Sequence, residues 1–258
     1  MKNLIIIAGP CIIEGEETTF EIARKLAEIS TATGQEIVFK ASYRKANRTS
    51  SNSFSGIGDE AALEILKQVK KQFGFRIVTD VHESIECAKA AEVADIIQIP
   101  AFLCRQTALL VAAGETGKSV NIKKGQFLSP EAMKFAIEKV YSTGNKSVML
   151  TERGTTFGYD SLIVDITAIP RMQAHGVPVI VDCTHSVQQP NQTSGVTGGN
   201  PLLIETIAKA ATAAGSDGLF FEVHPAPPKS PSDAASILEL SKFEAILRKC
   251  LAIRNVAV

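Results

Sequence analysis

Nothing in this 258-residue chain favours one sign of charge, since Lys and Arg number 27 and Asp and Glu also number 27. That balance supplies no long-range field for a nucleic acid or an anionic membrane surface. Long apolar runs are missing too. The 45% apolar content lies in short segments, none near the roughly 20 residues that cross a bilayer. The first run, Leu4 to Ala8, is broken by Gly9-Pro10, too early for a signal-peptide core. A cytoplasmic protein with neither nucleic-acid nor membrane partners is expected. Paired cysteine spacing is absent as well. Cys11, Cys87, Cys104, Cys183 and Cys250 are dispersed and odd in number, so reduced thiols are expected rather than disulfides. All but Cys11 read as small buried hydrophobes. No low-complexity tract or linker divides the chain, and residues 1–258 read as one domain with a large core.

What recurs is an apolar, β-branched run that stops at a polar residue. Leu4 to Ala8 leads to Cys11, Ile37 to Phe39 leads to Lys40, and Ile77-Val78 leads to Asp80 and His82. Ile96-Ile97 leads to Gln98, Val120 to Ile122 leads to Lys123, and Val148 to Leu150 leads to Glu152 and Arg153. Val179 to Val181 leads to His185, and Leu219 to Phe221 leads to Glu222. Eight such ends with helical patterns between them predict an α/β protein, a (β/α)8 TIM barrel with its catalytic face at the strand C-termini. The runs are continuous rather than alternating, as suits parallel strands covered on both faces. An open doubly wound sheet is the competing architecture. It would normally place a G-x-G-x-x-G turn after the first strand, where this chain has Gly9-Pro10-Cys11.

Helix ends are also readable. Ser129-Pro130 predicts a helix start, with Met133, Ala136, Ile137, Val140 and Tyr141 on one face and Gly144 at the end. Asn200-Pro201 predicts another, with Leu203, Ile207, Ala210, Ala211 and Ala214 inward. A last helix carries Ile237, Leu240, Phe243, Ile246, Leu247, Cys250 and Leu251. Segments 42–58, 154–160 and 188–199 fit neither pattern and follow strand ends, which assigns them to the catalytic face.

In a closed barrel the eighth strand pairs with the first, so the ends of strands 7, 8 and 1 are neighbours. They carry His185, Glu222 and Cys11, and the loop after strand 8 carries Asp233. One thiol, one imidazole and two carboxylates suit Fe(II), Zn, Mn or Co and not Mg or Ca. Singly, Cys11 also reads as packing, Asp233 as a turn or cap, and His185 as a general base or phosphate ligand. Lys40, Lys45, Arg48, Lys123, Lys124 and Arg153 stand at or just beyond strand ends, where such cations bind phosphate or carboxylate. Arg48 lies in Lys45-Ala46-Asn47-Arg48-Thr49-Ser50-Ser51, a segment that can surround a phosphate or simply be a solvated basic loop. A strand-end lysine also admits a Schiff-base aldolase. A non-catalytic phosphosugar-binding barrel would explain the cations but not the thiol and carboxylates.

Several longer strings carry a resemblance. They include Ala8-Gly9-Pro10-Cys11, Phe39-Lys40-Ala41-Ser42, Lys45 to Ser50, Gln98 to Thr107, Lys123 to Phe127, Thr151 to Tyr159, Asp182 to Gln188, and Glu222-Val223-His224-Pro225. In order along the chain they resemble the 3-deoxy-D-manno-octulosonate 8-phosphate synthases, within the phosphoenolpyruvate-using 3-deoxy-ald-2-ulosonate phosphate synthases. The resemblance implies a barrel transferase, usually a homotetramer. Such an enzyme joins phosphoenolpyruvate to D-arabinose 5-phosphate, releases phosphate and feeds lipopolysaccharide inner-core synthesis. The alternative is 3-deoxy-D-arabino-heptulosonate 7-phosphate synthase, which acts on erythrose 4-phosphate and usually has a Lys-Pro-Arg-Thr-like string where this chain has Lys45 to Ser50. The resemblance further implies the metal-requiring type, which carries Cys at position 11 where the other type has Asn. Its ligands would be Cys11, His185, Glu222 and Asp233. Ser232-Asp233-Ala234 fits that type. Lys40, Lys123 and Arg153, with Gln98 and Ala101, would hold phosphoenolpyruvate, and Asn47, Arg48 and Thr49 the sugar phosphate. Thr49 departs from the usual Ser but keeps the hydroxyl. Arg105 would reach a neighbouring subunit's site. Lys45, Asn47, Asp80, His82, His185 and Asp233 are the catalytic candidates, with proton transfer left unassigned among Lys45, Asp80, His82 and Asp233.

Overall fold

The computed structural model describes residues 4–47, 53–156, 158, 161–190, 192 and 197–257. Eight parallel strands pair in chain order: β1 (Ile5–Gly9), β2 (Ile37–Lys40), β3 (Ile77–Asp80), β4 (Ile96–Ile99), β5 (Ser119–Lys123), β6 (Val148–Glu152), β7 (Val179–Asp182) and β8 (Gly218–His224). The last returns to the first, in register from Ile5 opposite Gly218 to Gly9 opposite Glu222. That closing pair makes the sheet a TIM barrel and excludes the open doubly wound sheet. The helices are α1 (Glu16–Thr33), α2 (Asp59–Phe73), α3 (Glu86–Ala91), α4 (Thr107–Glu115), α5 (Met133–Tyr141), α6 (Ala168–Gln173), α7 (Ile204–Ala213) and α8 (Leu240–Ala257). No described helix is long and apolar enough to cross a membrane.

Alternation along the strands divides the core in two. Ile6, Ala8, Phe39, Ile77 and Ile97 pack outward among the helices. Phe39 stacks on Phe75 with ring centroids 5.8 Å apart, and Phe221 meets Phe243 of α8 edge-on at 5.2 Å. Ile7, Val38, Val78, Ile96, Ile180 and Phe220 form a separate inner layer. Two residues further along their strands stand Gly9, Lys40, Asp80, Gln98, Asp182 and Glu222. The apolar layer is therefore a dry floor, and the polar ring sits directly above it. Beside that floor, Asn121 donates to Gln98 Oε1 at 3.2 Å and accepts from Thr151 Oγ1 at 2.7 Å, so these buried amides are satisfied.

Only glycine fits at position 9. A Cβ there would stand 2.0 Å from the Lys40 carbonyl oxygen, so the ends of β1 and β2 close on each other only without a side chain.

Three helix expectations need correction. Ile237 is buried but precedes the short strand Leu238–Glu239, so α8 starts only at Leu240. Ser129 Oγ does accept from the Ala132 amide at 3.3 Å, but a turn intervenes and α5 starts at Met133. Asn200 accepts from the Leu202 amide, yet Pro201–Leu203 form a 3-10 turn before α7. The buried face is Ile204, Ala208, Ala211 and Thr212, with Ile207 and Ala214 packed partly buried beside it as expected, while Leu203 is 47% exposed.

Candidate active site

The strand C-termini surround a cavity of about 390 Å³. Lys40, Lys45, Asn47, Asp80, His82, Gln98, Ala101, Lys123, Arg153, His185, Glu222 and Asp233 all line it. Of the other residues expected here, Cys11 is buried behind the wall. Arg105 is exposed and does not line the cavity of its own chain. Arg48 and Thr49 lie outside the described residues.

At one side of the cavity, the donor atoms of Cys11, Glu222 and Asp233 lie within 4.8 Å of one another. The fourth expected ligand, His185, is adjacent rather than part of that group, with Nε2 3.6 Å from Glu222 Oε2. Cys11 Sγ donates toward Ser232 Oγ at 3.0 Å and Asp233 Oδ2 at 3.2 Å. Burial, reinforced by the negative charge of Glu222, pushes that thiol well up. Burial also opposes ionisation of Glu222, but attraction to His185, Lys40 and Lys45 outweighs it and holds the carboxyl well below its usual range. Asp233 adopts φ 50°, the only described non-glycine residue with positive φ. Strain of this kind persists where surroundings fix the residue. Gln188 Nε2 donates to Asp233 Oδ1 at 3.0 Å. Gly199 permits the close approach behind, since a Cβ there would lie 2.8 Å from the Ala235 carbonyl oxygen. A sulfur, two carboxylates and a nearby imidazole fit Zn, Fe(II), Mn or Co.

The cations divide into paired and unpaired. Lys40 Nζ donates to Glu222 Oε1 at 2.9 Å, Ser42 Oγ at 3.1 Å and the Cys11 carbonyl at 3.3 Å. Lys123 Nζ donates to Asp182 Oδ2 at 2.6 Å and lies 4.1 Å from the Phe220 ring centroid. Burial lowers the affinity of that amine for its proton, and Asp182 opposes the loss. Arg153 Nη2 donates to Gln188 Oε1 at 2.7 Å, whereas Nη1 is buried without a partner among the described residues. Neither Arg153 nor Lys45 has a carboxylate within ion-pair reach among the described residues. Burial alone would lower the Lys45 pKa, but Cys11, Glu222, Asp80 and Asp233 together raise it, so the ammonium persists. Across the cavity, burial keeps His82 neutral at ordinary pH, with Nε2 3.5 Å from Asp80 Oδ2.

Lys124 is corrected. Expected among the anion-binding cations, it does not line the cavity, and its Nζ lies 3.6 Å from Glu152 Oε1 on β6. Successive residues face opposite sides, so Lys123 and Lys124 cannot both enter the barrel. Sequence reasoning gave no role to Asp182, which is fully buried and takes bonds from Lys123, Thr184 and His185. Its position two residues beyond inward-facing Ile180 was the available signal. Gln188, between Arg153 and Asp233, carried no comparable mark.

Residues 2–255, spanning every barrel strand, match the DAHP synthetase I family. The chain belongs to that family. As a DAHP synthetase I family member it is similar to the proteins named 2-dehydro-3-deoxyphosphooctonate aldolase in Brucella ovis, Brucella melitensis and Brucella suis. Each is 48% identical over 254 residues, covering 98% of this chain and 92% of the relative.

Proposed function

We propose that this protein condenses phosphoenolpyruvate with D-arabinose 5-phosphate and water, giving 3-deoxy-D-manno-octulosonate 8-phosphate and inorganic phosphate. The reading places it in the cytoplasm, as one catalytic barrel domain feeding lipopolysaccharide inner-core synthesis. It is carried by one observation: Lys40, Lys123 and Arg153 ring a single cavity beside a sulfur–carboxylate cluster, in a chain 48% identical over 98% of its length to named octonate aldolases.

Two anionic substrates must be held face to face, which is a problem of orientation and charge. C3 of phosphoenolpyruvate attacks the sugar aldehyde, water adds at C2, and phosphate leaves by cleavage of the C2–O bond. Lys123 and Arg153, both lining the cavity, bind phosphoenolpyruvate with Lys40, Gln98 and Ala101. Asn47, with Arg48 and Thr49 next in sequence, takes the sugar phosphate. Lys45, held protonated by its acidic neighbours, donates from Nζ toward the oxygen that gains charge as the aldehyde is attacked. Neutral His82, backed by Asp80, accepts at a ring nitrogen the proton that the adding water gives up.

The protein is of the metal-requiring type in this reading, with Cys11, His185, Glu222 and Asp233 holding the cation. When bound, such a cation supplies positive charge beside the aldehyde and fixes the surrounding groups. Arg105, exposed on this chain, serves the site of a neighbour in a homotetramer, and sedimentation with Arg105→Ala kinetics tests that assignment.

Phosphate release measured with phosphoenolpyruvate and either aldose decides the substrate. Dependence on arabinose 5-phosphate is expected. Preference for erythrose 4-phosphate would overturn the reading in favour of the heptulosonate enzyme.

A further inference from the structure

We propose that Glu86 is a positioning residue for the aldose phosphate, clamping the loop after β2 so that Lys45 and Asn47 stand correctly in the cavity. This rests on the two-substrate reading above and adds a residue to it. Glu86 is the first residue of α3 and its side chain is 9% exposed. Its two oxygens are occupied from two separate loops. Oε1 accepts from Arg44 Nη2. Oε2 accepts from the Tyr43 hydroxyl at 2.7 Å and from the His82 amide at 2.8 Å.

An acidic residue in a first helical turn is ordinarily explained by the helix dipole. That explanation does not require partners from elsewhere, yet Tyr43 and Arg44 lie 43 and 42 residues earlier in the chain. They immediately precede Lys45, which lines the cavity with Asn47. Other ties on this stretch each hold one residue. Ser42 Oγ donates to Asp80 Oδ1, and the Lys45 amide donates to the Ser55 carbonyl at 2.8 Å. On this stretch Glu86 ties two consecutive loop side chains through one carboxylate, and Asp59 Oδ2, 3.5 Å from Arg44 Nη1, is a second, longer tie on Arg44. Glu86 also fixes His82 through the backbone and leaves the ring free, since Nδ1 is 3.7 Å from Oε2 while Nε2 faces Asp80. One carboxylate thus sets the spacing between the cation on the β2 side and the imidazole on the β3 side. Lys123 and Arg153, on β5 and just past β6, are held by other groups.

That separation makes the test selective. Glu86→Gln keeps the side-chain shape but removes the nearer of the two carboxylate charges on Arg44, leaving Asp59 at 3.5 Å. In the full-length metal-loaded protein, KM for arabinose 5-phosphate should rise by about tenfold or more while KM for phosphoenolpyruvate changes by less than about twofold. Tyr43→Phe, which removes one of the three bonds, should give a smaller shift in the same direction. Equal rises in both KM values, or an unchanged sugar KM in folded Glu86→Gln, would overturn the clamp. Hydrogen exchange provides a second arm that needs no turnover. Amides of residues 43–47 should exchange about tenfold faster in Glu86→Gln, with β5 and β7 unchanged, and identical exchange would also overturn it. If the unaltered protein releases no phosphate with arabinose 5-phosphate, the two-substrate reading fails. The exchange comparison then decides the clamp by itself.

Discussion

Asp182 Oδ2 lies 2.7 Å from His185 Nδ1 and 2.6 Å from Lys123 Nζ, so one buried carboxylate orients both the imidazole beside the sulfur–carboxylate cluster and the Lys123 ammonium. Its other oxygen accepts from the Thr184 amide, the Thr184 hydroxyl and the His185 amide, which fixes the turn after β7. With Nδ1 donating to Asp182, Nε2 is the atom left facing Glu222. Asp182→Asn keeps the volume but removes the countercharge from both partners. Supporting carboxylates of this kind typically alter metal affinity or activity by about 10- to 100-fold. Asp182→Asn should therefore weaken cation affinity and raise KM for phosphoenolpyruvate together, as read by metal titration and steady-state kinetics. A change in only one would uncouple the two sites.

The barrel was legible because polar residues stop apolar runs at the ends of its strands, and Lys40, Asp80, Gln98, Lys123 and Glu222 were placed by that rule alone. What the string of letters did not carry was facing. Lys123 and Lys124 are both charged and adjacent, and only the strand's alternation sends one inward and the other to Glu152. Asp182 also stops an apolar run, Val179 to Val181, and its two-residue spacing from Ile180 puts it inside the barrel. Ahead of α7 the 3-10 turn at Pro201–Leu203 leaves Leu203 exposed, a local conformation that the apolar spacing does not encode. Convergence of Cys11, Glu222 and Asp233 followed from barrel closure, and His185 stands beside them with Nδ1 2.7 Å from Asp182.

The Cys11 thiol, pushed up by burial and hydrogen-bonded to Asp233, must lose its proton when a cation takes its place. Binding should release a proton and tighten with rising pH. Chelator treatment should abolish condensation, and Fe(II), Mn or Co should restore it. Co(II) titrations at two pH values give the affinity change, and a sulfur-to-cobalt absorption band should vanish in Cys11→Ala. Full turnover by a verified metal-free preparation would remove the metal requirement and leave the barrel untouched.

Acid should unfold this protein partly through Asp80. Burial raises the Asp80 pKa, but Lys40, Lys45, His82 and the Ser42 hydroxyl outweigh it and hold the carboxyl below its ordinary range. A depressed folded pKa gives stability that is present above the unfolded value, about 3.9 for Asp, and lost as pH falls through the folded value. Asp182, also held low, adds a loss of the same sign. Urea unfolding should show stability falling below about pH 4. Asp80→Asn should be less stable than the parent at neutral pH and converge with it in acid. Parallel curves at every pH would show that Asp80 contributes no such linkage.

Gly9 offers the sharpest steric test of how the barrel builds its site. A methyl group there would stand 2.0 Å from the Lys40 carbonyl oxygen and 3.1 Å from the Lys40 amide nitrogen, both backbone atoms that no rotamer change can move. β1 and β2 must therefore separate at the ends that carry Cys11 and Lys40. Overpacking of this kind costs about 1–3 kcal/mol, occasionally more, and the displacement should pull Lys40 Nζ from its 2.9 Å contact with Glu222. Gly9→Ala should lower the urea midpoint and, at temperatures where it stays folded, raise KM for phosphoenolpyruvate and weaken cation binding. Gly15→Ala is the matched control, because a Cβ at that position meets nothing within 4 Å. Equal stability and kinetics in the two variants would mean that the tight approach of β1 to β2 is not what sets Lys40 against Glu222.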